Sequence, residues 1–300
     1  MAPKNGIERK RGNRLGFWFF RAAVRAFGLR GAYGLLYFVG LYYLAMDRAA
    51  VSASLAYVTR RFPGHGALRR VFDVYLLFVS QGKNLIDRFA VASGYEDIDI
   101  RIRGYDQVLD LCKDPAKGFI LLTAHVGNWQ VAMDALRRFG RTVHLMMRPE
   151  DNSAVRDALR IDAAQDRVRF LFTDDALGGV IEAMKAVNRG DIVAIMGDRT
   201  YGYGAVEASF LGNGVRFPYG AFSLASAAQC PVVVLLSARL GVNRYVMDVS
   251  HIIDAPGGAR GRKEAAMKAA VQEFAQALEG YVADHPYQWF VFRDIWKSNE

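Results

Sequence analysis

Apolar residues fall in two rhythms along this chain, and the rhythms divide it. From Leu15 to Ser93 the spacing is helical, with one interruption at Arg61-Phe62-Pro63-Gly64, where proline and glycine end one helix and let another begin. Beyond that, short apolar runs alternate with amphipathic segments. Ile98 to Ile102 alternates as a short strand, and strands are expected at 118–124, 142–147, 168–172, 191–196, 231–237 and 244–250. Helices are expected at 105–112, 128–139, 152–164, 176–188, 219–228 and 262–283. Strands alternating with helices predict an α/β fold, a mixed and largely parallel sheet flanked by helices. The expected organisation is a polar, disordered tail over 1–12, a helical region over 13–95 packed as an accessory layer, and the α/β domain over 96–300.

Charge changes the picture at one end. The net charge is +9, and most of it sits in the first thirty residues. Lys4, Arg9, Lys10, Arg11, Arg14, Arg21, Arg25 and Arg30 stand there against Glu8 alone. A basic arm suits nucleic acid. This one is interleaved with Leu15, Phe17, Trp18, Phe19, Phe20, Val24 and Phe27, which suits a helix lying on an anionic bilayer surface better. An uncharged run follows, Ala32 to Met46. As a helix it reaches about 22 Å at about 1.5 Å per residue, short of a bilayer core of about 30 Å. Its tyrosines, 33, 37, 42 and 43, prefer the interface. The expectation is a monotopic helix, partly embedded from the cytoplasmic side, with an ordinary buried helix as the alternative. A secretory signal is a poor fit, because the basic region is too long and no convincing cleavage site follows.

Cys112 and Cys230 are far apart and read as small buried hydrophobes in a reducing compartment. His65, His144, His251 and His285 show no metal-ligand spacing, so no metal is expected. The glycines at 202, 204, 212 and 214 lack the lysine and Ser/Thr of a phosphate loop, and the segment reads as a mobile loop. The aromatic tail Tyr287, Trp289, Phe290, Phe292 and Trp296 reads as packing that closes a sheet edge.

The candidate chemistry lies at Thr123-Ala124-His125-Val126-Gly127-Asn128-Trp129-Gln130. A histidine between the end of a strand and the start of a helix projects from a rigid scaffold into a crevice. A core or capping role is the alternative for an isolated histidine. The stretch resembles the His-x-x-x-x-Asp/Glu motif of the glycerolipid acyltransferase superfamily, in the His-x-Gly-Asn-Trp-Glu form of the lipid A biosynthesis (lauroyl/myristoyl) acyltransferases. Arg148-Pro149, Met196-Gly197-Asp198-Arg199, Phe210-Leu211-Gly212, Phe217-Pro218-Tyr219-Gly220 and Pro286-Tyr287-Gln288-Trp289-Phe290 are similar to further blocks of that family, in its order.

The resemblance implies an acyltransferase at the inner membrane, needing no cofactor. His125 would be general base, with Gln130 beside it in the catalytic pair. Asn128, Arg148, Asp198 and Arg199 would bind substrate. The donor would be an acyl thioester, on acyl carrier protein or else CoA, and the acceptor a hydroxyl or amine of a lipid. Basic surface at Arg137, Arg138 and Arg141 would attract an acidic carrier, and nucleic acid is not an expected partner. No acyl-enzyme is needed, since no Ser or Cys nucleophile accompanies the histidine.

Gln130 departs from the family, which has an acid there. Its amide carries no charge, so His125 would be the weaker base. Three readings stay open: a tolerated natural change, an engineered glutamate-to-glutamine substitution, or another carboxylate in its place, Asp134 being the nearest in sequence. The same departure supports a rival reading, a catalytically idle lipid-binding member of the fold.

Overall fold

The computed structural model describes residues 14–92, 98–147, 167–172, 178–200, 204–257 and 260–297. The expected helix at 152–164, the tail 1–12 and Arg148 lie outside these residues.

Three helices lead. α1 (Arg14–Met46) is broken at Gly28, whose φ of 65° lies in the left-handed region. α2 (Arg48–Arg61) follows, and α3 (Ala67–Ala92) runs back antiparallel to α1. Gly40 lies against Tyr75 and Val79, and Gly82 against Leu36, so the absence of side chains there lets the two helices approach. No described helix is long and apolar enough to cross a membrane.

The α/β part carries β1 (Asp99–Arg103), α4 (Tyr105–Leu111), β2 (Phe119–Thr123), α5 (Trp129–Leu136), β3 (Val143–Met147), β4 (Val168–Phe172), α6 (Gly178–Asn188) and β5 (Ile192–Met196). After these come β6 (Ala205–Phe210), β7 (Asn213–Pro218), α7 (Gly220–Ala228), β8 (Val232–Gly241), β9 (Arg244–Ile253) and α8 (Arg260–Asp284). The main sheet has seven strands in the order β1-β9-β8-β2-β5-β3-β4. Its pairs are parallel except for β8 with β9. It is the mixed, largely parallel sheet the alternation predicts.

Strands β2 and the first part of β8 are buried throughout, which is why they read as unbroken apolar runs. Successive residues still face opposite ways. Ile120 and Leu122 join Val193, Val232 and Val234 in a core under α6, α7 and α8. Phe119 and Leu121 join Val143, Ile192 and Val233 in a second core under α4 and α5. The helices therefore cover both faces, and the C-terminal edge of the central strands is left for a site. Both cysteines are free, and Cys230 is in the first core.

One expected loop is a hairpin. β6 and β7 pair antiparallel from Ala205 with Pro218 to Phe210 with Asn213. Leu211 (φ 50°) and Gly212 (φ 72°) make a two-residue turn in which both residues are left-handed, as the twist of a hairpin prefers. Ala208, Phe210, Val215 and Phe217 are buried. The alternation of apolar residues therefore outweighed the glycines. α8 holds the hairpin by accepting backbone N–H groups, Ser209 N on Gln272 Oε1 at 2.8 Å and Leu211 N on Glu279 Oε2 at 3.0 Å.

Candidate active site

β2 and β5 are parallel neighbours in register, Thr123 opposite Met196. Two residues past the end of each strand stand His125 and Asp198. The register brings them side by side although 73 positions separate them in sequence. His125 Nδ1 is 2.7 Å from Asp198 Oδ1, and the backbone N–H of His125 donates to Asp198 Oδ2 at 2.8 Å. Trp289 Nε1 donates to the same Oδ2 at 2.9 Å. The Asp198 side chain is fully buried, while that of His125 keeps 22% of its surface exposed.

Burial by itself would push the Asp198 carboxyl upward. The charge of His125, its ring hydrogen bond, the Arg199 guanidinium and the His125 backbone N–H together outweigh that, and hold the pKa down at about 2. The carboxylate is therefore ionised at neutral pH and accepts only, so Nδ1 carries the proton. No partner of Nε2 occurs among the described residues. With Nδ1 held by Asp198, Nε2 is the ring nitrogen left to accept a proton.

The loop that carries His125 is pinned from three sides. Gly127 N–H donates to Gln288 O and Phe290 N–H to His125 O, so the segment 288–290 runs as a short antiparallel strap along 125–127. Asn84 of α3 donates through Nδ2 to Gly127 O. Ser237 Oγ of β8 accepts from Asn128 N at 3.2 Å. Gly127 has φ 50°, and a Cβ built there would lie 1.8 Å from Ser237 O. Only glycine fits.

The expected site residues divide. His125 and Asp198 meet, but Asp198 is behind the imidazole and not at the surface a substrate would touch. Asn128, also expected at the substrate, is 3% exposed and points inward, its Nδ2 donating to Asn84 O at 3.1 Å. It is a strut between α3 and the loop. Arg199 is half-buried, donates through Nη2 to Phe290 O at 2.9 Å and lends its charge to Asp198. The side chains of Gln130, Asp134 and Arg137 lie outside what is described, as does Arg148.

Arg138 is exposed, but Arg141 is not free basic surface. Its guanidinium donates to the carbonyls of Cys112, Asp114, Pro115 and Gly190, tying two loops together. Trp289, read from sequence as edge packing, belongs to the site. It is 1% exposed and meets Tyr57 and Phe210 edge-on at 5.0 and 5.2 Å. Its place in an ordered block of the resemblance was the available signal.

A family model described as bacterial lipid A biosynthesis acyltransferase matches residues 90–298. Among solved structures, the chain is similar to the 1-acyl-sn-glycerophosphate (LPA) acyltransferase PlsC from Thermotoga maritima. The identity is 13%, with 82% of this chain and 95% of that one covered and a TM-score of 0.35. No curated protein matches the chain.

Proposed function

The chain belongs to the bacterial lipid A biosynthesis acyltransferase family, which makes it an acyltransferase acting on lipids, and from that premise we propose that His125 is its general base with Asp198 as the anionic partner. The donor is an acyl thioester, on acyl carrier protein or else on CoA. The acceptor is a hydroxyl or amine of a lipid at the cytoplasmic face of the inner membrane. The observation that carries this reading is the 2.7 Å contact of His125 Nδ1 with an ionised, fully buried Asp198.

In the proposed reaction Nε2 of His125 takes the acceptor's proton as its oxygen or nitrogen attacks the thioester carbonyl. The imidazolium that forms is stabilised by Asp198 through Nδ1–H. The tetrahedral intermediate then collapses, the C–S bond breaks, and the leaving thiolate recovers the proton from Nε2. Arg148, on the strength of its Arg-Pro block, is assigned to the oxyanion or to phosphate on the donor. The uncharged Gln130 does not weaken the base, because the charge it lacks comes from Asp198.

The exposed positions of the leading helices support membrane attachment. Phe38, Leu41, Tyr42 and Met46 of α1 and Leu68 and Phe72 of α3 are all exposed. An apolar face of that kind suits the bilayer interface.

The test is mass spectrometry of lipid extracts from cells making the parent or His125→Ala. One acylated species is expected with the parent and absent with the variant, and it names the acceptor. With that lipid in hand, turnover of His125→Ala should be about 10²–10⁴-fold lower. Turnover within a few fold of the parent would remove His125 from the mechanism.

A further inference from the structure

A cavity of about 300 Å³ opens between α1, α3, the end of β8 and the segment that follows α8. Its walls include two cations, Lys83 and Arg239. Neither has a carboxylate within 4 Å among the described residues. Lys83 Nζ donates to Tyr37 Oη at 3.3 Å and lies 5.1 Å from the centre of that ring. The Arg239 guanidinium lies 5.7 Å from the Tyr33 ring, and its Nε is buried with no hydrogen-bond partner. Asp87, the carboxylate whose charge acts on both cations, is occupied by the hydroxyls of Tyr33 and Tyr245. Asp284, also on the wall, is exposed. Asp87 balances part of this charge, but its oxygens are taken by the two hydroxyls, so the ammonium and the guanidinium keep donors to offer an arriving anion.

The position narrows the occupant. Tyr37 lines the cavity and is itself 44% exposed, next to the exposed Phe38 and Leu41. An anion in the cavity would therefore have apolar surface beside it. The cavity's lining is also tied by hydrogen bonds to the loop that carries His125. Lys83 precedes Asn84, which donates to Gly127 O, and Gln288 accepts the Gly127 N–H. The Gln288 side chain bonds both backbone groups of Arg239, at 2.8 and 2.9 Å.

We propose that this cavity is a phosphate subsite that takes a phospholipid headgroup, Lys83 and Arg239 holding the phosphate while the acyl chains lie along the exposed face of α1. A lysine point charge and an arginine fork are the usual pair for such a group. The subsite places a lipid phosphate beside the loop that carries His125. It rests on the reading of α1 as the membrane-facing helix.

The full-length chain is titrated by calorimetry with dihexanoylphosphatidylglycerol, kept below its micelle concentration, and with inorganic phosphate. The lipid should bind, and phosphate alone should bind at least tenfold more weakly. Lys83→Gln and Arg239→Gln should each weaken lipid binding about tenfold or more, and Lys83→Arg should restore most of it. Restoration excludes mere unfolding as the cause. Lipid binding unchanged in Lys83→Gln, or phosphate bound as tightly as the lipid, would overturn the proposal. Attachment of the full chain to vesicles of phosphatidylglycerol and phosphatidylcholine is read in parallel. Vesicle binding with no response to the soluble lipid would bring down the subsite alone. A response to the soluble lipid with no vesicle binding would bring down the membrane reading and leave the subsite standing.

Discussion

At the residue scale, the proposed mechanism gives Asp198 the role of anionic partner to His125, with Gln130 uncharged at the acid position of the family's motif. Two outcomes follow from that assignment. Asp198→Asn offers an amide that can donate to Nδ1 and so favours the wrong tautomer, besides losing the charge. Turnover should fall about 10²–10⁴-fold. Gln130→Glu should change turnover by less than about tenfold, since Nδ1 already has an anion. Turnover against pH with one acyl thioester measures both, and a large gain in Gln130→Glu would return the partner's role to that position. The same carboxylate sets an acid limit. Its pKa is about 2 in the folded chain against an ordinary 3.8, so the folded state binds the proton less readily than the unfolded one. Its contribution is present above about pH 4 and is lost as the pH falls toward 2. At about 1.4 kcal/mol per pKa unit it amounts to about 2 kcal/mol. Denaturant unfolding from pH 6 to pH 2 should show the parent losing about that much more than Asp198→Asn. Parallel curves would deny the shift.

At the scale of elements, the site is a junction of pieces far apart in sequence. β2 and β5 supply the histidine and the carboxylate, the 288–290 strap fixes the loop, and the β6–β7 hairpin backs the strap. Phe210 of the hairpin packs on Trp289 at 5.2 Å and on Trp296 at 6.0 Å. Trp289 in turn holds Asp198. Trp289→Phe keeps most of this aromatic packing and removes one donor to a buried carboxylate. The expected cost is about 1–3 kcal/mol in stability, with turnover down about tenfold because Asp198 and the imidazole are held less firmly. Urea unfolding and steady-state kinetics on the one variant check both. Full turnover with lowered stability would make Trp289 packing only.

For the whole molecule, the proposed membrane attachment rests on the leading helices. Ala23 and Leu29 of α1 are buried in a small core with Ile86 and Ala90 of α3, so the basic segment is partly built into the fold, and deleting residues 1–30 would expose that core. Arg25 and Arg30 are exposed and can be changed without unpacking it. Arg25→Gln with Arg30→Gln should weaken binding to anionic vesicles about tenfold to thirtyfold, at about 1 kcal/mol for each basic residue near the surface. Raised salt should shrink the difference by screening. Equal binding by parent and variant at low salt would remove these arginines from the contact. Salt-dependent binding to duplex DNA without vesicle binding would reverse the choice of partner.

What the sequence determined by itself is what depends on near neighbours. The periods of 3.6 and 2 are local, so the leading helical region with its interruption after Arg61, and the strands of the main sheet, lie within a few residues of their expected positions, whereas the break at Asp47 between α1 and α2 was not expected. The place of His125 at a strand's end was legible from the residues around it, while its choice over a core or capping histidine rested on the family resemblance. The hairpin was missed because the glycines between 202 and 214 were given more weight than the alternation of Val206, Ala208 and Phe210. The partner of His125 depended on tertiary structure alone. Gln130 and Asp134 were the near candidates in sequence, yet a histidine at a strand's end meets whatever ends the adjoining strand. That β5 adjoins β2, in register, is a property of sheet order, which no local pattern encodes. The roles of Trp289 and Asn84 have the same origin. Each acts on the catalytic loop from a distant part of the chain, and only the packing of the sheet against α3 and the C-terminal strap brings them there.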